Sequence, residues 1–202
     1  NSQLGLLLAG LTEQGLAEVN DVLAPCQHRL FDLGGELAMP SYQALNLAEV
    51  ERLVDLVAGA DRQGSTVCAR AFQSSVACVD ASRGSNLWSR SAQGHTGLAG
   101  DDKLIFGAES DSKVHAWQRQ GGQIAWSQEG LRFRGLTAPL VLGRSVVLGD
   151  ENGLLHFLSR QDGKPLLRVV TDGSAIVGRP VAVDQTLVVV TRAGGVFGYR
   201  PE

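Results

Sequence analysis

From residue 62 onward, apolar and polar positions alternate in short runs, and the runs recur at a fixed interval. Val146-Val147-Leu148 and Leu187-Val188-Val189 lie 41 residues apart, as do Pro139 and Pro180. Leu155-His156-Phe157-Leu158 and Val196-Phe197-Gly198-Tyr199 repeat the same step. Val114-His115-Ala116-Trp117 precedes Leu155 by 41 and follows Val76-Ala77-Cys78-Val79 by 38. Each full unit then turns at a glycine and reaches a large apolar residue four positions later: Gly84 to Trp88, Gly122 to Trp126, Gly163 to Leu167. Alternation with β-branched residues, about four short strands per unit and a period near 40 predict the blades of a β-propeller. These six residues are the expected structural anchors, each large side chain filling the gap between neighbouring blades.

The count is two full units, a third with Leu167 in the tryptophan's place, and a fourth that stops after its third strand. About three and a half antiparallel four-stranded blades fall short of the roughly four to eight that close a ring. The expectation is an open arc with uncovered edges, through which the protein oligomerises unless the N-terminal segment covers one end.

Residues 1–59 carry a different pattern. Leu4, Leu7, Leu8 and Leu11 follow helical spacing, as do Leu16, Val19 and Leu23 ahead of a break at Pro25. Asn46 with Glu49 three residues on reads as a capping box before Val50, Leu53, Val54 and Val57, with Gly59 as the residue that ends the helix. The fold class expected overall is therefore α+β: a short helical segment, 1–59, followed by an incomplete propeller, 60–202.

Charge and composition sharpen that division. The first 59 residues hold eight acids, two bases and fourteen leucines; the remainder hold thirteen acids, sixteen bases, all three tryptophans and nineteen of 25 glycines. Such a shift marks two units of different class, with a boundary near Gly59–Gly64. The overall charge of −3 argues against a general grip on nucleic acid. No apolar run reaches the length of a membrane-spanning helix. The chain opens at Asn1 without Met or a basic-then-apolar leader, which reads as a fragment boundary or a processed end.

Two phrases in the first unit carry a resemblance. Asn1-Ser2-Gln3-Leu4-Gly5 and Gln27-His28-Arg29-Leu30-Phe31-Asp32-Leu33-Gly34-Gly35-Glu36-Leu37-Ala38 resemble the PduO-type ATP:cob(I)alamin adenosyltransferases over residues 1–57. The resemblance implies a cytoplasmic ancestry in adenosyl transfer from ATP to a corrinoid, with Asn1, Gln27, His28, Asp32 and Glu36 as motif remnants. The family's phosphate-binding segment and arginine-rich helix have no counterpart here, and two arginines in a unit of net −6 do not hold a triphosphate. The expected outcome is no adenosyltransferase activity.

A second resemblance covers residues 62–202. Val67 to Phe72 and Val79-Asp80-Ala81-Ser82-Arg83-Gly84-Ser85-Asn86-Leu87-Trp88 look like a repeat of the pyrroloquinoline-quinone-like propellers. Leu136 to Val141, Val146 to His156 and Ala193-Gly194-Gly195-Val196-Phe197-Gly198-Tyr199 resemble the C-terminal blades of the BamB family of outer-membrane assembly lipoproteins. That resemblance implies a non-enzymatic scaffold without a cofactor. It also implies a place on the periplasmic side of the outer membrane, reached only indirectly, and a BamA-like assembly subunit as protein partner. The family's main contact loops lie in middle blades, so no contact residue transfers. Together the two resemblances read as a truncated fusion.

The remaining chemistry-bearing residues read as structural. His115 and His156 occupy equivalent repeat positions, which strand pattern explains without a metal, and His95 lies in a turn. Asp101-Asp102 and Asp150-Glu151 sit beside glycines and read as solvated turns. Cys68 and Cys78 flank a hairpin centred near Gln73 and face each other, either as a cross-strand disulfide or as two small buried residues.

Overall fold

The computed structural model describes residues 56–200, which form strands and turns without a helix. Blade 1 comprises β1 (Leu56–Gln63), β2 (Thr66–Ala71), β3 (Ser75–Asp80) and β4 (Ser85–Ser91). Blade 2 holds β5 (Ala99–Gly100), β6 (Leu104–Ala108), β7 (Val114–Gln118) and β8 (Ile124–Gln128). In blade 3, β9 (Leu140–Leu142), β10 (Ser145–Gly149), β11 (Leu154–Ser159) and β12 (Pro165–Val170) follow. Blade 4 has three strands, β13 (Ile176–Val183), β14 (Thr186–Thr191) and β15 (Val196–Tyr199). Every sheet is antiparallel in chain order. The four sheets coincide with the four repeat units, because each short alternating run has one face for each neighbouring blade.

The helical reading of residues 1–55 lies outside the described residues, as do Asn1, Gln27, His28, Asp32 and Glu36. Its C-terminal edge needs correction. Leu56 and Val57 belong to β1, paired with Ala71 and Arg70, and Gly59 ends no helix. Gly59 sits at φ +91° where the β1–β2 register shifts, and a Cβ there would lie 3.3 Å from Gly97 Cα. A bulge pressed against the next blade's backbone takes a glycine for the same reason as a helix end, so the residue type alone did not separate them. The strand β1 runs across the expected boundary at 59/60. Two compact units divide instead at Arg52/Leu53.

Three hydrophobic cores join the blades in series. Cys68, Val76, Cys78 and Trp88 of blade 1 pack on Leu98, Ile105 and Trp117. Phe106, Val114, Ala116 and Trp126 of blade 2 pack on Val146, Leu148 and Leu158 of blade 3. Val147 and Leu155, with half-buried Leu140 and Phe157, meet Ile176, Leu187 and Val189 of blade 4. Along β10 the consecutive residues Val146, Val147 and Leu148 thus face blades 2, 4 and 2 in turn, as pleating requires.

A repeated contact fixes each joint. The Trp88 indole lies on Gly122, in the β7–β8 turn of blade 2, where an added Cβ would sit 2.4 Å from its ring. Trp126 lies on Gly163, the equivalent turn of blade 3, at 2.5 Å by the same measure. Both glycines have φ near +70°, which suits the turn, and both indoles are over nine-tenths buried. Trp88 Nε1 donates to the Arg119 carbonyl at 2.6 Å, and Trp126 Nε1 to the Arg160 carbonyl at 2.9 Å. Arg90 and Gln128, two residues beyond each indole, donate to the carbonyls of Gly122 and Gly163.

Leu167 does not act as a buried anchor; it is 55% exposed. The surface it needs is the following blade's outer turn, which at the 41-residue step falls near position 204, beyond Glu202. Gly84 is the mirror case: its turn has φ +65°, and open space surrounds its Cβ position. Among the described residues no fourth core joins blade 4 to blade 1.

Because the cost of truncation follows burial, Trp126→Ala should lower unfolding free energy by about 3–5 kcal/mol. Leu167→Ala should cost less than about 1 kcal/mol, as for other substitutions away from the core. Urea unfolding followed by far-ultraviolet circular dichroism checks both, and equal losses would contradict the assignment.

Candidate functional site

The polar residues most deeply placed in the propeller lie at the joints between blades. At the end of the second strand in blades 2, 3 and 4 stand Glu109, Asp150 and Thr191, spaced 41 residues apart. Each donates its backbone N–H to a carbonyl four positions on, at 2.7–2.9 Å. Their side chains take different partners. Glu109 holds Arg70, whose Nη2 lies 3.3 Å away and whose guanidinium is fully buried 5.9 Å from the Trp117 ring centroid. Thr191 donates to Asp172 at 2.6 Å.

Asp150 is the most committed of the three. Its Oδ1 accepts the N–H groups of Asn152 and Leu154, both at 2.9 Å, and its Oδ2 accepts from Arg134 Nε at 2.7 Å and His156 Nε2 at 2.8 Å. The carboxylate is fully buried and His156 is 3% exposed. The reading of Asp150-Glu151 as a solvated acidic pair is therefore corrected: only Glu151 faces solvent. Burial alone would raise the Asp150 pKa, but four hydrogen bonds outweigh it and leave the carboxyl below its usual range. Burial pushes the His156 imidazole below its usual value, against the pull of Asp150.

The other residues singled out by sequence fall in separate places. His115 does not meet His156; its Nδ1 lies 2.8 Å from Ser127 Oγ, and burial lowers its pKa too. His95 is an exposed loop residue. Asp101 Oδ1 accepts from the N–H groups of Lys103 and Leu104 at 2.8 Å, a turn role, while Asp102 is exposed. Arg119, unmarked by pattern, is nearly buried and pairs with Asp61, and its Nε donates to the Asp101 carbonyl at 2.7 Å. Cys68 and Cys78 stand opposite each other on β2 and β3 and are joined as a disulfide, which decides between the two readings left open. Among the described residues, no group of three or more His, Cys, Asp or Glu is arranged to hold a metal ion.

Two kinds of surface remain for contact with other molecules. A recess of about 280 Å³ opens between blades 2 and 3, lined by Leu131, Leu158, Leu166, Leu167, His156 and Arg168 among others. The outward faces of the end blades are apolar: Phe72, Val79 and Leu87 on blade 1, and Val181, Val183 and Val196 on blade 4, are 37–58% exposed. His156 is spoken for by Asp150, so the recess has the chemistry of a contact surface.

The buried imidazoles generate a pH dependence. Their folded pKa values lie below the unfolded value of about 6.5, so the unfolded chain binds protons that the folded chain refuses, and stability falls as pH drops below about 6.5. The Asp150 contribution is present above about 3.9 and lost only as pH falls through its lower folded value. Urea midpoints should therefore decline between pH 7 and 5.5, and His115→Gln with His156→Gln should flatten that slope. An unchanged slope in the double variant would contradict the assignment.

Comparison with known proteins agrees with this architecture. The family model described as outer membrane protein assembly factor BamB matches residues 36–128. The Burkholderia pseudomallei outer membrane protein assembly factor BamB is 42% identical over 155 residues, 77% of this chain and 41% of that protein. The Bordetella pertussis protein of the same name is 33% identical over 197 residues, 97% of this chain and 49% of that one. Similarity thus runs through most of residues 1–57, and none of these comparisons supports an adenosyltransferase fragment there. The crystal structure of BamB from Moraxella catarrhalis superposes with a TM-score of 0.68 at 24% identity, covering 78% of this chain and 46% of that one. The chain spans about two fifths to one half of the relatives it matches, and over that length it is a propeller of the kind found in BamB.

Proposed function

We propose that this chain is a non-catalytic interaction scaffold for outer-membrane β-barrel protein assembly, acting on the periplasmic side of the outer membrane. The observation that carries the reading is the 42% identity to an assembly factor over 155 residues, a span containing most of the described blades. The geometry supports it. Buried charged groups are spent on tying blades together, as at Asp150 and Arg119, and the exposed apolar area lies on blade faces. The Cys68–Cys78 disulfide suits an oxidising compartment such as the periplasm.

The partner by this reading is a BamA-like assembly subunit. With about half the length of the relatives present, the chain retains part of a docking surface. Titration of the oxidised chain against the purified periplasmic domains of such a subunit, followed calorimetrically, should give saturable binding with a dissociation constant between about 1 and 100 μM. No binding at the upper limit would contradict the scaffold reading. A submicromolar constant would contradict the view that the main contacts lie in blades outside this chain.

A further inference from the structure

Every joint in this propeller has two halves in fixed register, and the chain carries one unpaired copy of each half. Blade 3 presents Leu140, Val147, Leu155 and Phe157 to blade 4. The residues 41 positions on, Val181, Val188, Val196 and Gly198, form the outward face of blade 4. Cross-strand pairing assembles them into two rows, Val181–Val188–Gly198 and Val177–Val190–Val196. Val177, Val181 and Val196 are 39%, 50% and 58% exposed.

The complementary half is on blade 1. Blade 3 receives blade 2 on Val146, Leu148 and Leu158, and blade 2 receives blade 1 on Ile105 and Trp117. The residues 38 positions before Ile105 and Trp117 are Val67 and Val79, which with Ala69 face away from blade 2. Val79 is 37% exposed, and Val67 and Ala69 are half-buried. Gly84, in the same blade, is the turn glycine on which no indole rests.

We infer that a second copy of this chain covers these faces, with blade 4 of one copy packed on blade 1 of the other and the reverse at the second joint. The contact continues the interface that already joins blades 1 to 2, 2 to 3 and 3 to 4. It is head-to-tail, and such a contact yields a closed assembly only when its rotation returns to the start. Two copies supply about as much chain as one Moraxella relative, of which this fold covers 46%. The closed species is therefore a two-fold dimer with four blades from each copy. The inference rests on the blade register and stands or falls independently of the assembly role.

Sedimentation equilibrium of the full chain between about 1 and 100 μM reads it directly. The expected result is a reversible species of twice the 21.4 kDa monomer mass. Val181→Glu and Val79→Lys, each on an exposed position of one end face, should each give monomers with unchanged circular dichroism. Mixing the two should restore dimers, because a head-to-tail pair then holds one native joint and one Glu–Lys joint. A monomer at every concentration, an open series of larger species, or substituted chains that dimerise as well as the parent would each overturn the inference. If a substituted chain loses its β-sheet signal, the mass of the unsubstituted chain decides the question alone.

Discussion

The contact on which this structure depends is an indole laid over a glycine turn of the next blade. A sheet of four short strands has two faces and cannot bury either alone, so a blade is stable only against a neighbour. Trp88 on Gly122 and Trp126 on Gly163 set how closely neighbours approach, since a Cβ at either glycine would fall within 2.6 Å of the ring. The indole N–H groups then find the carbonyls of Arg119 and Arg160, so burial leaves no polar atom of the rings unpaired. From this contact follow the alternation of β10 between two cores and the two unmatched ends.

Much of this was legible because it is periodic. A 41-residue step locates blades, turn glycines and the faces of strands without any knowledge of contacts. Antiparallel pairing around Gln73, which takes φ +47° in the β2–β3 turn, was enough to set Cys68 opposite Cys78. The polar interior was less legible. Asp150 beside a glycine looks like any surface turn, and its burial depends on Arg134 and His156, which local pattern does not connect to it. The same step does mark it, since Glu109, Asp150 and Thr191 share one repeat position, a signal that alternation alone hides. Leu167 shows the opposite error: the pattern supplies an anchor, but burial requires a neighbour.

The N-terminal reading failed for a related reason. Leu53, Val54 and Val57 fit a helical stripe, and Gly59 fits a helix end, yet Leu56–Gln63 is a strand because β2 offers it a ladder. Tertiary pairing overrides local periodicity in short apolar runs. What such a scaffold offers a partner is then set by its uncovered parts, the end faces and the recess between blades 2 and 3, while its charged interior holds the blades in place.

The most direct test of the account is a double-mutant cycle on Trp126 and Gly163, measured by urea unfolding. If the indole rests on the turn as described, Gly163→Ala carries both the collision with the ring and the strain of a side chain at φ +71°. In a Trp126→Ala background only the strain remains, about 1–2 kcal/mol. The account predicts that the cost of Gly163→Ala falls by at least ~1 kcal/mol when Trp126 is truncated, the scale on which contacting residues couple. Additive losses would show that the indole and the turn do not touch.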